Sequence, residues 1–439
     1  MQRYTHLGFI LISFGLSQQL TAQPDTLWTR TYGGSDYDEA RSVQQTADGG
    51  FVVVGYTLSL GAGSADVYLI RTDAQGDTLW TRTYGGSSWD LGASVQQTAD
   101  GGFVVAGWTE SFGAGAQDVW LIRTAPQGDT LWTRTYGGSS EDIGFSVQQT
   151  TDGGFVLAGY TGSFGAGGLD AWLIRTDAQG DTLWTRTFGG SSFEGGFSVQ
   201  QTLDSGFVVA GFNGWLPGAD FANVWLIKTD DHGDTLWTRT FGGSSWEIGH
   251  SIQQTSDGGF VVAGLVDYFG EVGSDVWLIK TDANGDTLWT RTYGGSDSDE
   301  ARSVQQTADG GFVVVGYTFS LGAGSADVWL IKTDSLGNTA PLAITHDGAG
   351  LPAAFLLEQN YPNPFNPTTI IRYELPNATD VQLVIYDIRG REVAGLVDSH
   401  MKPGSHQVQW EGGEFPSGIY IARLVTPDYT KSIKMVLLK

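Results

Sequence analysis

The sequence predicts an all-β chain assembled from one reiterated unit, and three observations carry that expectation. The tryptophans Trp28, Trp80, Trp132, Trp184, Trp237 and Trp289 stand 52, 52, 52, 53 and 52 residues apart, the spacing of a repeated supersecondary unit. Each unit restates Trp-Thr-Arg-Thr-(Tyr/Phe)-Gly-Gly-Ser and, for the most part, Asp-Gly-Gly-Phe-Val. Within a unit, apolar residues alternate in short runs separated by turn signals, and nothing repeats with helical period.

In the first unit the strands are expected at 26–31, 42–46, 51–57 and 67–72. Thr46-Ala47-Asp48-Gly49-Gly50 and Asp73-Ala74-Gln75-Gly76-Asp77 supply the tight turns, since glycine takes positive φ and aspartate bonds its own backbone. Four strands per unit of this length match a propeller blade. The order resembles WD-type repeats, in which an Asp-Gly turn links an outer strand to the next blade's inner strand. On that phase 51–57 is innermost, followed by 67–72 and 78–83, with 94–98 outermost. The wording Tyr84-Gly85-Gly86-Ser87 through Asp90, then Asp100-Gly101-Gly102-Phe103-Val104-Val105-Ala106-Gly107, is similar to bacterial β-propeller repeats of the SBBP-like kind. The resemblance covers 26–333 and departs from relatives with seven blades. It implies a six-bladed β-propeller in which residues 26–46 pair with 312–333, closing the ring and removing two sheet edges.

The ends frame this array. Residues 1–22, with an apolar run from Leu7 to Leu16, read as a signal peptide, and the run is too short to span a bilayer. Cysteine is absent, so stability must come from burial. A net charge of -25 argues against nucleic acid and anionic lipid as partners.

Most repeated residues have a structural reading. The strand tryptophans, including Trp120, Trp172, Trp225, Trp277 and Trp329, are expected to fill the space between blades. On one edge lie the acids Asp48, Asp100, Asp152, Asp204, Asp257 and Asp309, with Asp25, Asp77, Asp129, Asp181, Asp234 and Asp286. A third set is Asp73, Asp177, Asp230, Asp282 and Asp334. Turn capping explains them, while Asp48, Asp73, Asp77, Asp100 and Asp129 stand as candidate Ca2+ ligands, the one cofactor the chain suggests. The opposite edge carries Asp38, Asp90, Asp142, Glu194, Glu247 and Asp299, and Asp66, Asp118, Asp170, Asp275 and Asp327 with Asn223 as the exception. One arginine per unit, from Arg30 to Arg291, is placed to pair with an acid set. Sixfold sameness offers no pair of carboxylates with unlike environments, so no catalytic residue is assigned. His232 and His250 are placed in separate loops and make no metal motif.

A ligand site is better sought where the repeats differ. Repeat four replaces the usual loop by Phe212-Asn213-Gly214-Trp215-Leu216-Pro217-Gly218-Ala219-Asp220-Phe221, and repeat five reads Leu265-Val266-Asp267-Tyr268-Phe269-Gly270-Glu271. Trp215, Asp220, Phe221, Asp267, Tyr268 and Phe269, with Trp89 and Trp246, are the candidate ligand-binding residues.

Residues 334–356 read as a linker, after which 357–439 change character. Strands are expected at 370–375, 381–387, 407–411 and 418–424, making a small Ig-like β-sandwich. Tyr361 to Pro367, Ile385-Tyr386-Asp387 with Gly390, Ser417-Gly418-Ile419-Tyr420, and the basic-ended run Lys434 to Lys439 closely resemble the C-terminal sorting domain of the type IX secretion system. The resemblance implies sorting roles for Asn363, Pro364, Phe365, Asn366, Pro367, Gly390, Gly418, Tyr420, Lys434 and Lys439, with the secretion machinery as partner. The expected protein is thus a secreted or cell-surface, noncatalytic binding or scaffold propeller of a Gram-negative bacterium, its partner a glycan or protein. A polysaccharide-active enzyme and a cation-stabilised structural protein are the alternatives.

Overall fold

The structure is a computed structural model that describes residues 28–215, 221–243, 245–267, 273–322, 325–339, 355–357, 360, 363, 365–427 and 429–437. The chain divides into two units, Met1–Pro341 and Leu342–Lys439. Among the described residues no helix is long and apolar enough to cross a membrane. The expected signal peptide and most of the expected linker lie outside the described residues.

In the first unit the chain folds into successive antiparallel sheets. The first consists of β1 (Asp38–Gln45), β2 (Phe51–Thr57), β3 (Asp66–Thr72) and β4 (Thr78–Tyr84), hydrogen-bonded in that order. Four more four-stranded sheets repeat it, and a sixth has three strands, Asp299–Gln306, Phe312–Thr318 and Asp327–Thr333. The Asp-Gly turn therefore joins two strands of one sheet, which corrects the phase expected from the sequence. Its geometry dictates this outcome: Thr46 N–H donates to Gly50 O at 2.9 Å and Gly49 N–H to Thr46 O at 2.8 Å, a hairpin too tight to reach another sheet. Strand 94–98, expected at the outside of one blade, belongs to Asp90–Gln97, the first strand of the next sheet, and pairs with Phe103–Thr109. The link between sheets is the Gly-Gly-Ser segment instead.

The first strands of neighbouring sheets lie against one another, so this strand, rather than Phe51–Thr57, is innermost. A bulge in each inner strand presses a carbonyl onto the second strand; at Gly107 a Cβ would sit 1.8 Å from Leu91 O, so only glycine fits. Sheets stack face to face. Val104, Ala106, Val119 and Leu121 of the second sheet pack on Val147, Phe155, Leu157, Trp172 and Ile174 of the third, with Trp132 and Tyr136 at the rim. The same set recurs at the other joints between successive sheets. Each fully buried Val, Leu or Phe is worth about 1.5–3 kcal/mol. Polar steps hold the register: Gln149 N–H donates to Gln96 Oε1 at 2.5 Å, and Tyr136 Oη donates to Gly180 O at 2.6 Å, tying a fourth strand to the next sheet's turn.

The two ends of the array depart from the expected closure. Residues 28–33 form no strand, and Asp327–Thr333 pairs with Phe312–Thr318 and, through one bridge from Thr333, with Thr339. The expected pairing of 26–46 with 312–333 is therefore not formed. Instead Trp28 meets Phe51 edge-on at 5.6 Å, Tyr32 Oη donates to Gly76 O at 2.6 Å, and Arg30 holds Asp77. Residues 28–32 thus lie on the first sheet as a fourth strand lies on its successor. At the other end Val328 and Leu330 are 84% and 67% exposed.

The second unit contains two antiparallel sheets, one of Leu356–Leu357, Thr368–Leu375 and Gly404–Glu411, the other of Glu392–Met401, Thr379–Asp387, Gly418–Val425 and Thr430–Leu437. Ile371, Tyr373 and Leu375 from the first pack with Leu383, Ile385, Tyr420, Leu424 and Met435 from the second in one core.

Candidate functional site

The acids at the turn edge are already held. Asp48, Asp100 and Asp152 each take a buried arginine at 2.5 Å, Arg71, Arg123 and Arg175; in the later sheets Lys228, Lys280 and Lys332 serve Asp204, Asp257 and Asp309. The Thr46 hydroxyl, the Gly50 amide and Arg71 hold the Asp48 carboxyl at about 2. The second set pairs between sheets: Arg30 with Asp77, Arg82 with Asp129, Arg134 with Asp181, Arg186 with Asp234 and Arg239 with Asp286. Asn338 stands where Arg291 would meet the next acid. Asp73 receives the N–H groups of Gln75 and Asp77, each at 2.9 Å. The five candidate cation ligands therefore all carry donors from the protein itself. The metal-competent cluster among the described residues is Asp230, Asp231 and His232, and Asp230 there caps its turn by accepting from His232 and Asp234 N–H.

The opposite edge shows where the repeats diverge. In the second sheet Asp90 is fully buried and accepts from the Thr109 hydroxyl, from Ser111 Oγ at 2.7 Å and from Gly86 N–H at 2.7 Å. Asp142 does the same with Thr161, Ser163 and Gly138, and Asp38 with Thr57, Ser59 and Gly34. In repeat four the two hydroxyl positions are Asn213 and Trp215; in repeat five they are Val266 and Tyr268. In both, glutamate replaces the aspartate. Glu194 still receives Gly190 N–H at 3.1 Å. Glu247 is 4% exposed, and its Oε2 has no hydrogen-bond partner among the described residues. Burial pushes the Glu247 carboxyl up, with the Gly243 amide pulling it down and Asp267 adding to the rise.

A cavity of about 390 Å3 opens beside Glu247, lined by Gly242, Val266, Trp277, Thr290, Arg291 and Thr292. Trp120 and Trp172, equivalents of Trp277, are 4% exposed and covered by Phe112 and Phe164 at 5.4 and 5.5 Å. Trp277 is half-buried.

Of the expected ligand-binding residues, Trp246 and Asp267 come together, Asp267 N–H donating to Trp246 O at 2.9 Å, and Trp246 bridges to Ala222 beside the 41%-exposed Phe221. Trp215 ends its strand opposite Phe193. Trp89 is exposed but belongs to the link between the first and second sheets, apart from the others. Asp220, Tyr268 and Phe269 lie outside the described residues.

The inner strands hold a group that the sequence reading passed over. His250 is not in a loop; it sits in Glu247–Gln254, with Nε2 2.5 Å from Glu300 Oε1. Arg302 reaches the same carboxylate at 3.0 Å, and the Tyr317 hydroxyl donates to it. Burial keeps His250 below the ordinary imidazole range, outweighing the pull of Glu300. Phe145 and Phe197 occupy the equivalent positions and meet at 4.8 Å, while Arg41 caps Tyr56 and Trp108 at 5.4 Å each. The signal was one non-repeating register position: Arg41, Ala93, Phe145, Phe197, His250, Arg302.

In the C-terminal unit the expected sorting residues serve the last strand. Asn363 Oδ1 accepts from Val436 N–H at 2.7 Å and its Nδ2 donates to Lys434 O at 3.2 Å; buried Phe365 donates its N–H to Val436 O at 2.9 Å. Pro367 O accepts from Gly412 N–H at 2.7 Å. Asn366 adjoins it in the exposed turn, Gly390 closes the Asp387–Arg391 turn at φ +75°, Gly418 opens its strand, and Tyr420 Oη donates to Pro416 O at 2.8 Å. Pro364 and Lys439 lie outside the described residues. Residues 359–438 match the family described as the secretion system C-terminal sorting domain. This segment is a sorting domain of that family. It implies export through type IX secretion, with that machinery as partner, to the medium or cell surface of a Bacteroidetes-type bacterium.

The chain is 30% identical over 176 residues to the regulatory protein FlaEY of Caulobacter vibrioides, a match to 34% of this chain and 18% of that protein. It thus spans less than a fifth of that relative's length. Solved structures that align broadly include a eukaryotic initiation factor, at 11% identity, 86% and 91% coverage of the two chains and a TM-score of 0.29. Another is fructan 1-exohydrolase IIa from Cichorium intybus, at 10% identity, 91% and 88% coverage and a TM-score of 0.28. Scores this low carry no argument about fold or activity.

Proposed function

We propose that the repeat unit is a noncatalytic binding module, exported by its sorting domain and engaging a glycan or protein through repeats four and five. One observation supports the reading above others: repeats one, two, three and six surround the equivalent aspartate with protein hydroxyl donors, whereas repeat five leaves the buried Glu247 Oε2 without a partner among the described residues, on a side chain that lines a cavity. A repeat that keeps its frame but loses its internal donors is a place for an external one. The finer architecture that fits is a six-bladed propeller followed by an Ig-like sandwich. Translating the His250–Glu300 contact by one repeat would set Arg302 against Glu39, so the open ends are complementary in charge as well as apolar surface. The apolar run near residue 10 fits passage of the inner membrane.

The test is a screen of the full chain against glycan and protein arrays. Specific signals lost in Trp215→Ala, Trp246→Ala or Glu247→Gln are expected; the absence of any specific signal refutes the reading. The enzyme alternative predicts turnover of a polysaccharide that Asp220→Asn or Asp267→Asn abolishes. The cation-stabilised alternative predicts a melting temperature that rises with Ca2+, because a ligand of the native state stabilises it by mass action.

A further inference from the structure

We infer that Glu247, Asn223 and Trp277 form a saccharide subsite in the cavity between the fourth and fifth sheets, a sugar hydroxyl replacing the two hydroxyls that repeat five has lost. This rests on the binding reading above and names the ligand class and residues.

The argument starts from a requirement the other repeats satisfy. Asp90 and Asp142, in the same register, receive a threonine hydroxyl, a serine hydroxyl and a backbone amide. Buried carboxylate oxygens without donors are costly, by about 1–3 kcal/mol or more. Glu247 retains an amide from Gly243, but Val266 and Tyr268 stand where the hydroxyls were. Glu247 lines the cavity, its Oε2 buried just beneath the surface. Over Gly242 it converges with Asn223: a Cβ built on that glycine would meet Asn223 Oδ1 and Glu247 Oε2, each at 2.6 Å. Asn223 is also the one position in its series that is not aspartate, so the acid that adjoins the equivalent carboxylate in the other repeats is here a neutral amide.

The remaining walls suit a polyol better than an ion. Trp277 gives an aromatic surface, Val266 an apolar one, and Thr290, Arg291 and Thr292 complete the lining, the arginine disfavouring a cation. An aromatic wall with a few convergent polar groups in about 300–1,000 Å3 is the usual form of a small-molecule site. A sugar has hydroxyls to donate to the Glu247 carboxylate and to Asn223 Oδ1, and C–H bonds to present to the indole.

The experiment uses the full chain with methyl glucoside, methyl mannoside, methyl galactoside, maltose and cellobiose, read by calorimetric titration and tryptophan fluorescence. The decisive variant, Glu247→Asp with Val266→Thr and Tyr268→Ser, rebuilds the donors of repeats two and three. It should melt higher than the parent and lose about tenfold or more in affinity for whichever saccharide binds, the value of a lost hydrogen bond to a charged group. Glu247→Gln, which keeps shape and removes charge, should weaken binding in the same direction. Saccharide binding that persists in the rebuilt variant but falls in Trp89→Ala or Trp215→Ala overturns the subsite and leaves the wider reading standing. A parent chain that binds none of the five, or that is stabilised by Ca2+ only when Glu247 is intact, overturns it as well.

Discussion

Asp142 in the third sheet and Glu247 in the fifth occupy one step of the same repeat, yet one is closed by its own sheet and the other is not. Around Asp142 two hydroxyls and an amide fill the acceptor sites, leaving nothing for a ligand to add. Around Glu247 the backbone path and the Gly243 amide are retained, while the threonine and serine positions are filled by other residues and Oε2 is left without a partner among the described residues. The comparison separates two selective demands that a repeat protein carries in one motif. Frame residues are those whose loss breaks every copy, and site residues are those that a single copy dispenses with.

The sharpest way to break that comparison is to show that the two sheets differ in their frame. Phe155→Ala and Phe260→Ala, equivalent and both 1% exposed, should each cost about 3–5 kcal/mol in denaturant unfolding, and unequal losses would mean that the fifth sheet is structurally weaker throughout. Next in size, Asp142→Ala should cost roughly 1–3 kcal/mol by stranding Thr161, Ser163 and Gly138 N–H, whereas Glu247→Gln should leave the melting temperature at neutral pH unchanged or higher. The sign follows from ionisation. Burial raises the Glu247 carboxyl, so its contribution is favourable below the ordinary glutamate range and is lost as pH rises through the folded value. Acidification from neutral pH toward 4.5 should therefore narrow the gap between the parent and Glu247→Gln.

A smaller effect concerns His250, whose folded value lies below the ordinary imidazole range of 6.5. Its stabilising contribution is present above that range and lost as pH falls through the folded value. His250→Phe, which copies Phe145 and Phe197, should remove this acid-dependent step from a melting curve series. Asp48, held at about 2, contributes above the ordinary aspartate range of 3.8 and loses that contribution between there and about 2, so its share of acid unfolding comes last. The smallest expected effect is that of Ca2+: with Asp48, Asp77, Asp100 and Asp129 bound to arginines, melting temperatures with chelator and with Ca2+ should coincide.

The repeat spacing made the sheets legible, because reiterated alternation and turn chemistry are local properties. The phase was not, since Asp-Gly serves a hairpin or a link between blades equally well until the Thr46–Gly50 hydrogen bonds decide it. The odd loop of repeat five singled out Asp267, whose N–H bonds to the O of Trp246, an aromatic read from a different loop. Glu247 and Trp277 stayed hidden in the repeat because each looks like a conservative copy; only the coupled loss of threonine and serine at Val266 and Tyr268 distinguishes them. His250 was misplaced because strand Glu247–Gln254 starts earlier than its apolar alternation does.

Every fourth strand is fastened to the sheet that follows by the same tryptophan-on-phenylalanine contact, as at Trp80 with Phe103, and three of the five add a tyrosine-to-glycine bond, as at Tyr84 with Gly128. Excision or duplication of one whole 52-residue period would consequently join surfaces that already fit, so the gene can change its number of modules without redesigning a single boundary.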